Sequence, residues 1–231
     1  MFLPNSAYYI PNFITPNEES QLLEKIYSSP KPKWKTLSNR RLQNWGKCFN
    51  LAVIYFLGLP HPKGMIQEKL PEWLMSYVKK VGSLEIFNDK LPNHVLINEY
   101  LPGQGIMPHE DGPLFYPTIA TINLGSHTVL DYYEKSCESD NLDSDMRVKN
   151  SCYVGSLLLE RCSLLLVQDD LYTKYLHGIK ENTVDMLDDK IKNLNMCNIE
   201  NATELDRQSR ISLTIRHVPH TVKANFLFGI K

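Results

Sequence analysis

The stretch HVLINEYLPGQGIMPHED, residues 94–111, marks the point where the chain changes texture. Its first eight residues are dominated by aliphatic and aromatic types that suit a pleated, half-buried surface, and Pro102 and Gly103 then break the run. Five more runs of this kind follow: TIATINL (118–124), TVLDYY (128–133), SLLLE (156–160), SLLLVQ (163–168) and RISLTIRHV (210–218). Glycine, proline, asparagine and aspartate separate them, so six short strands joined by turns predict a sandwich or a barrel-like jelly roll.

Towards the N-terminus the pattern is helical. Thr15, Pro16 and Glu18 open a helix: Thr15 caps it, Pro16 suits the first turn, and Glu18 sits where a capping-box partner belongs. Leu22, Leu23 and Ile26 form its apolar stripe, which ends before Pro30. A second helix fits PEWLMSYVKKVG (71–82), with Trp73, Leu74, Tyr77 and Val78 inward. The expected fold class is therefore mainly β with supporting helices (α+β). It forms one domain over 1–231, with residues 1–93 as helices and a basic lid and 94–231 as the β core. Two connections are long and polar: one within 134–155 contains the acidic ESDNLDSDM, and the other runs from about 180 to 208. There is no internal repeat.

Composition bounds the rest. With 231 residues and a formal net charge of −1, bulk basicity gives no reason to expect a nucleic-acid partner, which a local patch would have to meet. Five cysteines without a C-x-x-C pair do not read as a disulfide framework and fit a reducing compartment. The N-terminus lacks a signal-peptide pattern, and the most apolar run, LAVIYFLGL (51–59), is far shorter than the roughly 20 residues that span a bilayer. A soluble intracellular protein with no membrane partner is the expectation, in nucleus and cytoplasm; oligomeric state is not legible.

His109, Glu110 and Asp111 follow the first strand and its turn. In an extended segment positions 109 and 111 face the same way, so they can hold one ion between them while Glu110 points elsewhere. By chance alone roughly 0.4 His-x-Asp matches arise in this composition, so the pair by itself is about as often accident as function. His177, in KYLHGI, is the candidate third ligand, completing a facial triad of two histidines and a carboxylate that leaves positions open on iron(II). Taken alone, His177 reads more readily as an ordinary half-buried histidine.

RISLTIR changes that balance. Arg210, Ser212, Thr214 and Arg216 alternate with Ile211, Leu213 and Ile215, so a strand here presents two guanidiniums and two hydroxyls on one face and aliphatics on the other. Such a face suits an anion, and a carboxylate at each end of 2-oxoglutarate matches two planar forks. Asn98 and Tyr100 share a face of the first strand and can hydrogen-bond a carboxylate.

These residues resemble the AlkB family of iron and 2-oxoglutarate dioxygenases, and look most like the branch called AlkB homologue six. The resemblance covers nearly the whole chain: KPKWKTLSNRRLQNWG, GLPHPKGM, LPNHVLINEYLPGQGIMPHEDGP, YPTIATINLGSHTVLDYY, SLLLERCSLL, YLHGI and RISLTIR. It implies a double-stranded β-helix with iron on His109, Asp111 and His177. It further implies Asn98 and Arg216 at the chelating end of 2-oxoglutarate, with Tyr100, Arg210 and Ser212 at its distal carboxylate; Thr214 faces the same way. The implied chemistry uses molecular oxygen and removes N-methyl groups from nucleobases of single-stranded DNA or RNA.

Six basic residues lie between Lys31 and Lys47 with no acidic ones, and Trp34 and Trp45 lie among them. Lys33, Trp34, Lys35, Arg40, Arg41 and Trp45 are thus candidates for contacting phosphates and bases, and match the family's nucleotide-recognition lid. The competing reading is a solvated basic surface with packed tryptophans. One departure from the branch is KCFNLAVIYFL, inserted between Gly46 and Gly58. It is either a lid insertion that packs on the sheet or a retained intron, and its apolar character favours the second. Two alternative functions stay open: a hydroxylase of a protein or small molecule, and a catalytically silent nucleic-acid-binding module.

Overall fold

The computed structural model describes residues 6–48, 65–135, 152–199 and 202–222. Strand β1 (Ala7–Ile10) leads into helix α1 (Pro16–Tyr27), a hairpin of β2 (Trp34–Leu37) and β3 (Arg40–Trp45), short strands β4 (Lys47–Cys48) and β5 (Met65–Gln67), and helix α2 (Glu72–Gly82). There follow β6 (His94–Tyr100), β7 (Ile106–His109), β8 (Thr118–Leu124), β9 (Thr128–Glu134), β10 (Cys152–Leu159), β11 (Leu164–Gln168), helix α3 (Asp169–Thr173) and β12 (Tyr175–Ile179). A ribbon of β13 (Val184–Met186) and β14 (Glu204–Asp206) precedes β15 (Arg210–Arg216) and β16 (Thr221–Val222).

Two antiparallel sheets make the body. The larger has the order β1-β11-β8-β15-β6-β3-β2 and the smaller β10-β9-β12-β7. Tyr9, Tyr100, Leu130, Tyr132, Leu157, Leu159, Leu165 and Ile179, drawn from both sheets, form the core between them together with Leu171 of α3. The result is the expected mainly β double-stranded β-helix. The N-terminal third is woven into it, because β1 closes one edge of the large sheet and β3 and β2 close the other.

Helices α1 and α2 cover the outer face of the large sheet. Thr15 caps α1 as its sequence requires: its hydroxyl accepts from the Glu18 amide at 3.1 Å, and the Glu18 carboxylate accepts from the Thr15 amide at 2.7 Å. Leu22 and Ile26 of α1 and Leu74, Val78 and Val81 of α2 then pack on Val95, Ile97, Ile122, Leu213 and Ile215. Each fully buried aliphatic of this kind contributes about 1.5–3 kcal/mol. Trp73 and Tyr77 stay partly exposed at the edge of that contact. Glu19, buried on α1, pins the helix to the sheet by accepting from the Gly125 amide at 2.8 Å and from the Arg161 guanidinium.

The central strand β15 pairs with β6 on one side and β8 on the other. Ile211, Leu213 and Ile215 turn towards the helices, which leaves Arg210, Ser212, Thr214 and Arg216 on the face towards the second sheet. All seven residues are buried. The long connection after residue 180 contains the β13–β14 ribbon, which the polar composition did not predict. ESDNLDSDM and residues 49–57 of KCFNLAVIYFL lie outside the described residues. Among the described residues no helix is long and apolar enough to cross a membrane.

Candidate active site

Strand register explains how distant residues meet. His109 on β7 stands opposite His177 on β12, and their ring centroids are 4.5 Å apart. The β12–β7 register shifts beside this pair, with one extra residue on β7 between Ile106 and His109, a placement often used to aim a side chain. Asp111, two residues beyond His109, places Oδ2 3.6 Å from Nε2 of His177, and its Oδ1 accepts from Nη2 of Arg216. Glu110 points away and pairs with Lys135, as alternation along an extended segment requires. His177 lies within β12.

The protonation states suit a divalent metal. Burial pulls His177 down to about 4, with neighbouring His109 adding to the effect and Asp111 opposing it. Burial likewise holds His109 below the usual imidazole range against the pull of Asp111. For Asp111 burial pushes upward, but Arg216, His177 and His109 outweigh it and keep the carboxyl below the usual range. His109 Nδ1 sits 2.8 Å from the Met107 carbonyl, which it faces as a donor, so Nε2 carries the free lone pair. Two neutral imidazoles and one carboxylate, converging from one side, are a donor set that iron(II) accepts with positions to spare.

One consequence is a pH dependence. Because the folded His177 has a pKa below the unfolded value of about 6.5, the metal-free fold binds fewer protons than the unfolded chain as pH falls from about 6.5 to about 4. Its stability therefore drops through that window. Denaturant titrations of metal-free protein are expected to show a steeper acid loss for wild type than for His177→Gln; equal slopes would contradict the account.

Beside the triad lies a cavity of about 120 Å³, lined by Asn98, Tyr100, Ser212, Thr214, Arg210 and Arg216 together with His109, Asp111 and His177. All nine residues predicted for metal and co-substrate are thus brought to one place. Across the sheet Tyr100 stands opposite Arg210, Asn98 opposite Ser212 and Leu96 opposite Thr214, so the polar face is a set of cross-strand rows. Arg210 is 4% exposed; its Nη2 donates to Asn123 at 2.6 Å, and its Nε and Nη1 are buried without a hydrogen-bond partner among the described residues. Burial pulls this guanidinium down to about 10. The Asn98 carbonyl oxygen, the Tyr132 hydroxyl and Nε of Arg216 are orphaned in the same way. The unpaired donors among these, on Arg210, Arg216 and Tyr132, cost free energy that a bound dicarboxylate would recover.

Sequence reasoning missed three contributors. Asn123 holds Arg210, Tyr132 reaches the cavity beside His177 with rings 6.4 Å apart, and Phe115 stacks on the Arg216 guanidinium at 4.6 Å. Alternation of Thr121 and Asn123 within TIATINL was the available signal for the first; the others depend on long-range packing.

Of the six lid candidates only Arg40 lines the cavity. Trp34 and Trp45 pack against the hydrophobic core, with Trp45 edge-on to Trp73 at 5.6 Å. Lys33 pairs with Glu68 at 3.1 Å and lies over the Trp45 ring, while Arg41 pairs with Glu99 and stacks on Trp34. Lys35 lies on β2, at the edge of the large sheet.

Comparison with known proteins gives the family. The family pattern described as 2OG-Fe(II) oxygenase superfamily matches residues 6–216. A Danio rerio protein named Probable RNA/DNA demethylase ALKBH6 is 49% identical over 228 residues, covering 99% of this chain and 92% of that one. Uncharacterized protein L905 of Acanthamoeba polyphaga mimivirus is 27% identical, covering 93% of this chain and 85% of its own. Among solved structures, that of OsALKBH1 superimposes with a TM-score of 0.55 at 14% identity, over 94% of this chain and 100% of that one, which speaks to the fold. The chain belongs to the 2OG-Fe(II) oxygenase superfamily and is an AlkB-like dioxygenase dependent on Fe(II) and 2-oxoglutarate.

Proposed function

We propose that this enzyme oxidatively demethylates nucleobases in single-stranded DNA or RNA, with His109, Asp111 and His177 holding Fe(II) and Asn98, Tyr100, Arg210, Ser212, Thr214 and Arg216 holding 2-oxoglutarate. The observation that carries the site assignment is the row of buried, unsatisfied cationic donors facing one cavity next to the triad. When bound, iron and co-substrate supply the means to oxidise an N-methyl carbon with O2, the co-substrate leaving as succinate and CO2 and the methyl carbon as formaldehyde.

The chain's own residues set the conditions for this. Arg216 occupies Oδ1 of Asp111 and so fixes the carboxylate with Oδ2 towards His177. Tyr172 donates to the Gly112 carbonyl at 2.6 Å and ties the loop after Asp111 to α3. Charge also favours an anionic substrate: three guanidiniums and one carboxylate line the cavity, so a dication and a dianion together would leave it net positive. The nucleic-acid reading draws on the name of the Danio rerio relative. A base must leave its stack before a methyl group reaches the metal, which makes single strands the cheaper substrate. Nucleus and cytoplasm are the proposed locations for such a substrate.

A second reading has its own observation. Lys33 and Arg41 are already paired with Glu68 and Glu99, which leaves less free positive charge on the lid than the sequence implies, and favours a hydroxylase of a protein or small molecule. Incubating the enzyme with Fe(II), 2-oxoglutarate and N-methylated oligonucleotides separates the two. Demethylation predicts formaldehyde and succinate in equal amounts, greater with single strands than duplexes. Succinate that ignores every oligonucleotide, without formaldehyde, would overturn it in favour of the second reading.

A further inference from the structure

Arg40 differs from the other lid cations. Its Nε is buried without a hydrogen-bond partner, and among the described residues no acidic side chain pairs with it, whereas Lys33 and Arg41 both have carboxylate partners. Arg41 stands opposite Glu99 across β3 and β6, so Arg40, one residue earlier, falls beside Tyr100. Tyr100 in turn stands opposite Arg210 on β15. Three adjacent strands therefore bring Arg40, Tyr100 and Arg210 into one row on the inner face, with a phenol between two guanidiniums.

Among the described residues no carboxylate compensates the charge at this end of the cavity. The carboxylate lining the cavity, Asp111, is engaged by Arg216 at the other end of β15. A carboxylate seated at the Tyr100 end would meet Arg210 with one fork and still have lone pairs for a second donor. Arg40 also lines a groove on the outside of the sheet with Thr36, Ser38, Leu101 and Gln104. Beside it at the hairpin tip, the Asn39 amide donates to the Glu181 carboxylate, so this end of the hairpin is tied to the loop after β12.

We propose that Arg40 is a second ligand for the distal carboxylate of 2-oxoglutarate, donated by the β2–β3 hairpin, so that co-substrate occupancy helps to hold that hairpin over the site. This rests on the assignment of the cavity to 2-oxoglutarate made above. It makes the hairpin part of the co-substrate site as well as of the lid.

The test is calorimetric titration of the full-length, Mn(II)-loaded protein, which needs no turnover. Two ligands are compared: 2-oxoglutarate, and 2-oxobutanoate, which keeps the chelating end but lacks the distal carboxylate. Arg40→Ala is expected to weaken 2-oxoglutarate about 10- to 100-fold, the loss of a charge-assisted hydrogen bond, and to leave 2-oxobutanoate within about twofold. Arg40→Lys, which keeps the charge without the fork, should fall between. Equal losses for both ligands would assign Arg40 a purely structural role, and no loss for either would assign it to the outer groove; either result overturns the proposal. Should Arg40→Ala fail to fold, Arg40→Gln carries the same comparison. A wild-type protein that binds no 2-oxoglutarate would instead overturn the cavity assignment itself.

Discussion

Arg210→Ala is expected to weaken 2-oxoglutarate binding about 100-fold or more while leaving the ligand-free protein at least as stable as wild type. The two halves have one cause. Among the described residues Arg210 is buried, its charge meets no carboxylate, and two of its three nitrogens have no hydrogen-bond partner. Without ligand the fold carries the desolvation cost of a cation and gains little in return, so its removal relieves a penalty. With ligand the same guanidinium becomes one half of a buried, hydrogen-bonded ion pair, whose truncation costs about 2–5 kcal/mol. Thermal melts with and without 2-oxoglutarate read both effects. A large loss of ligand-free stability would show that Arg210 holds the sheet together, and would undercut its assignment as a ligand.

Asp185→Ala should act in the opposite sense, on stability first. Asp185 is 3% exposed and takes a fork from Arg207, with Nε at 2.7 Å and Nη2 at 2.6 Å, while His127 approaches at 3.4 Å. Burial raises this carboxyl, but the nearby His127 ring and the Arg207 guanidinium outweigh it and leave it below the usual range. Its contribution is therefore present above about pH 4 and is lost as pH falls through the depressed value. Alanine strands a buried Arg207 and is expected to cost about 3–5 kcal/mol in denaturant unfolding. Replacing both members with apolar residues, as in Asp185→Leu with Arg207→Met, should cost much less. Arg207 precedes β15 by three residues and also donates to the Lys180 carbonyl at 2.6 Å, so the network fixes where the strand bearing Arg210 begins. If the single and double variants lose the same stability, the ion pair is not what holds this connection.

How much of this was legible in the sequence differs by element. The cap of α1 was readable because Thr15, Pro16 and Glu18 act within one turn. The polar face of β15 was readable because alternation is a local property: four polar side chains two residues apart must share a face wherever the strand goes. His109 and Asp111 were readable for the same reason, but His177 needed the register of β7 against β12, which no local pattern specifies. The large sheet's edges were hidden: AYYI at residues 7–10 and the hairpin at 34–45 pair with strands distant in sequence, such as Tyr9 with Leu165 and Arg41 with Glu99. The lid shows the cost of reading composition alone. A basic run with tryptophans suggests a nucleic-acid surface, yet Glu68 and Glu99, remote in sequence, take up two of its charges, and Arg40 turns inward by strand alternation.

The most direct test of the central claim is the weak visible charge-transfer band that an Fe(II)–2-oxoglutarate chelate shows in the absence of oxygen. Wild type, loaded anaerobically with both, is expected to show the band, and Asp111→Ala, which removes the carboxylate between His177 and Arg216, to lack it. A folded, iron-loaded wild type without the band, or a band unchanged in Asp111→Ala, would contradict the assignment of His109, Asp111 and His177 as the metal site.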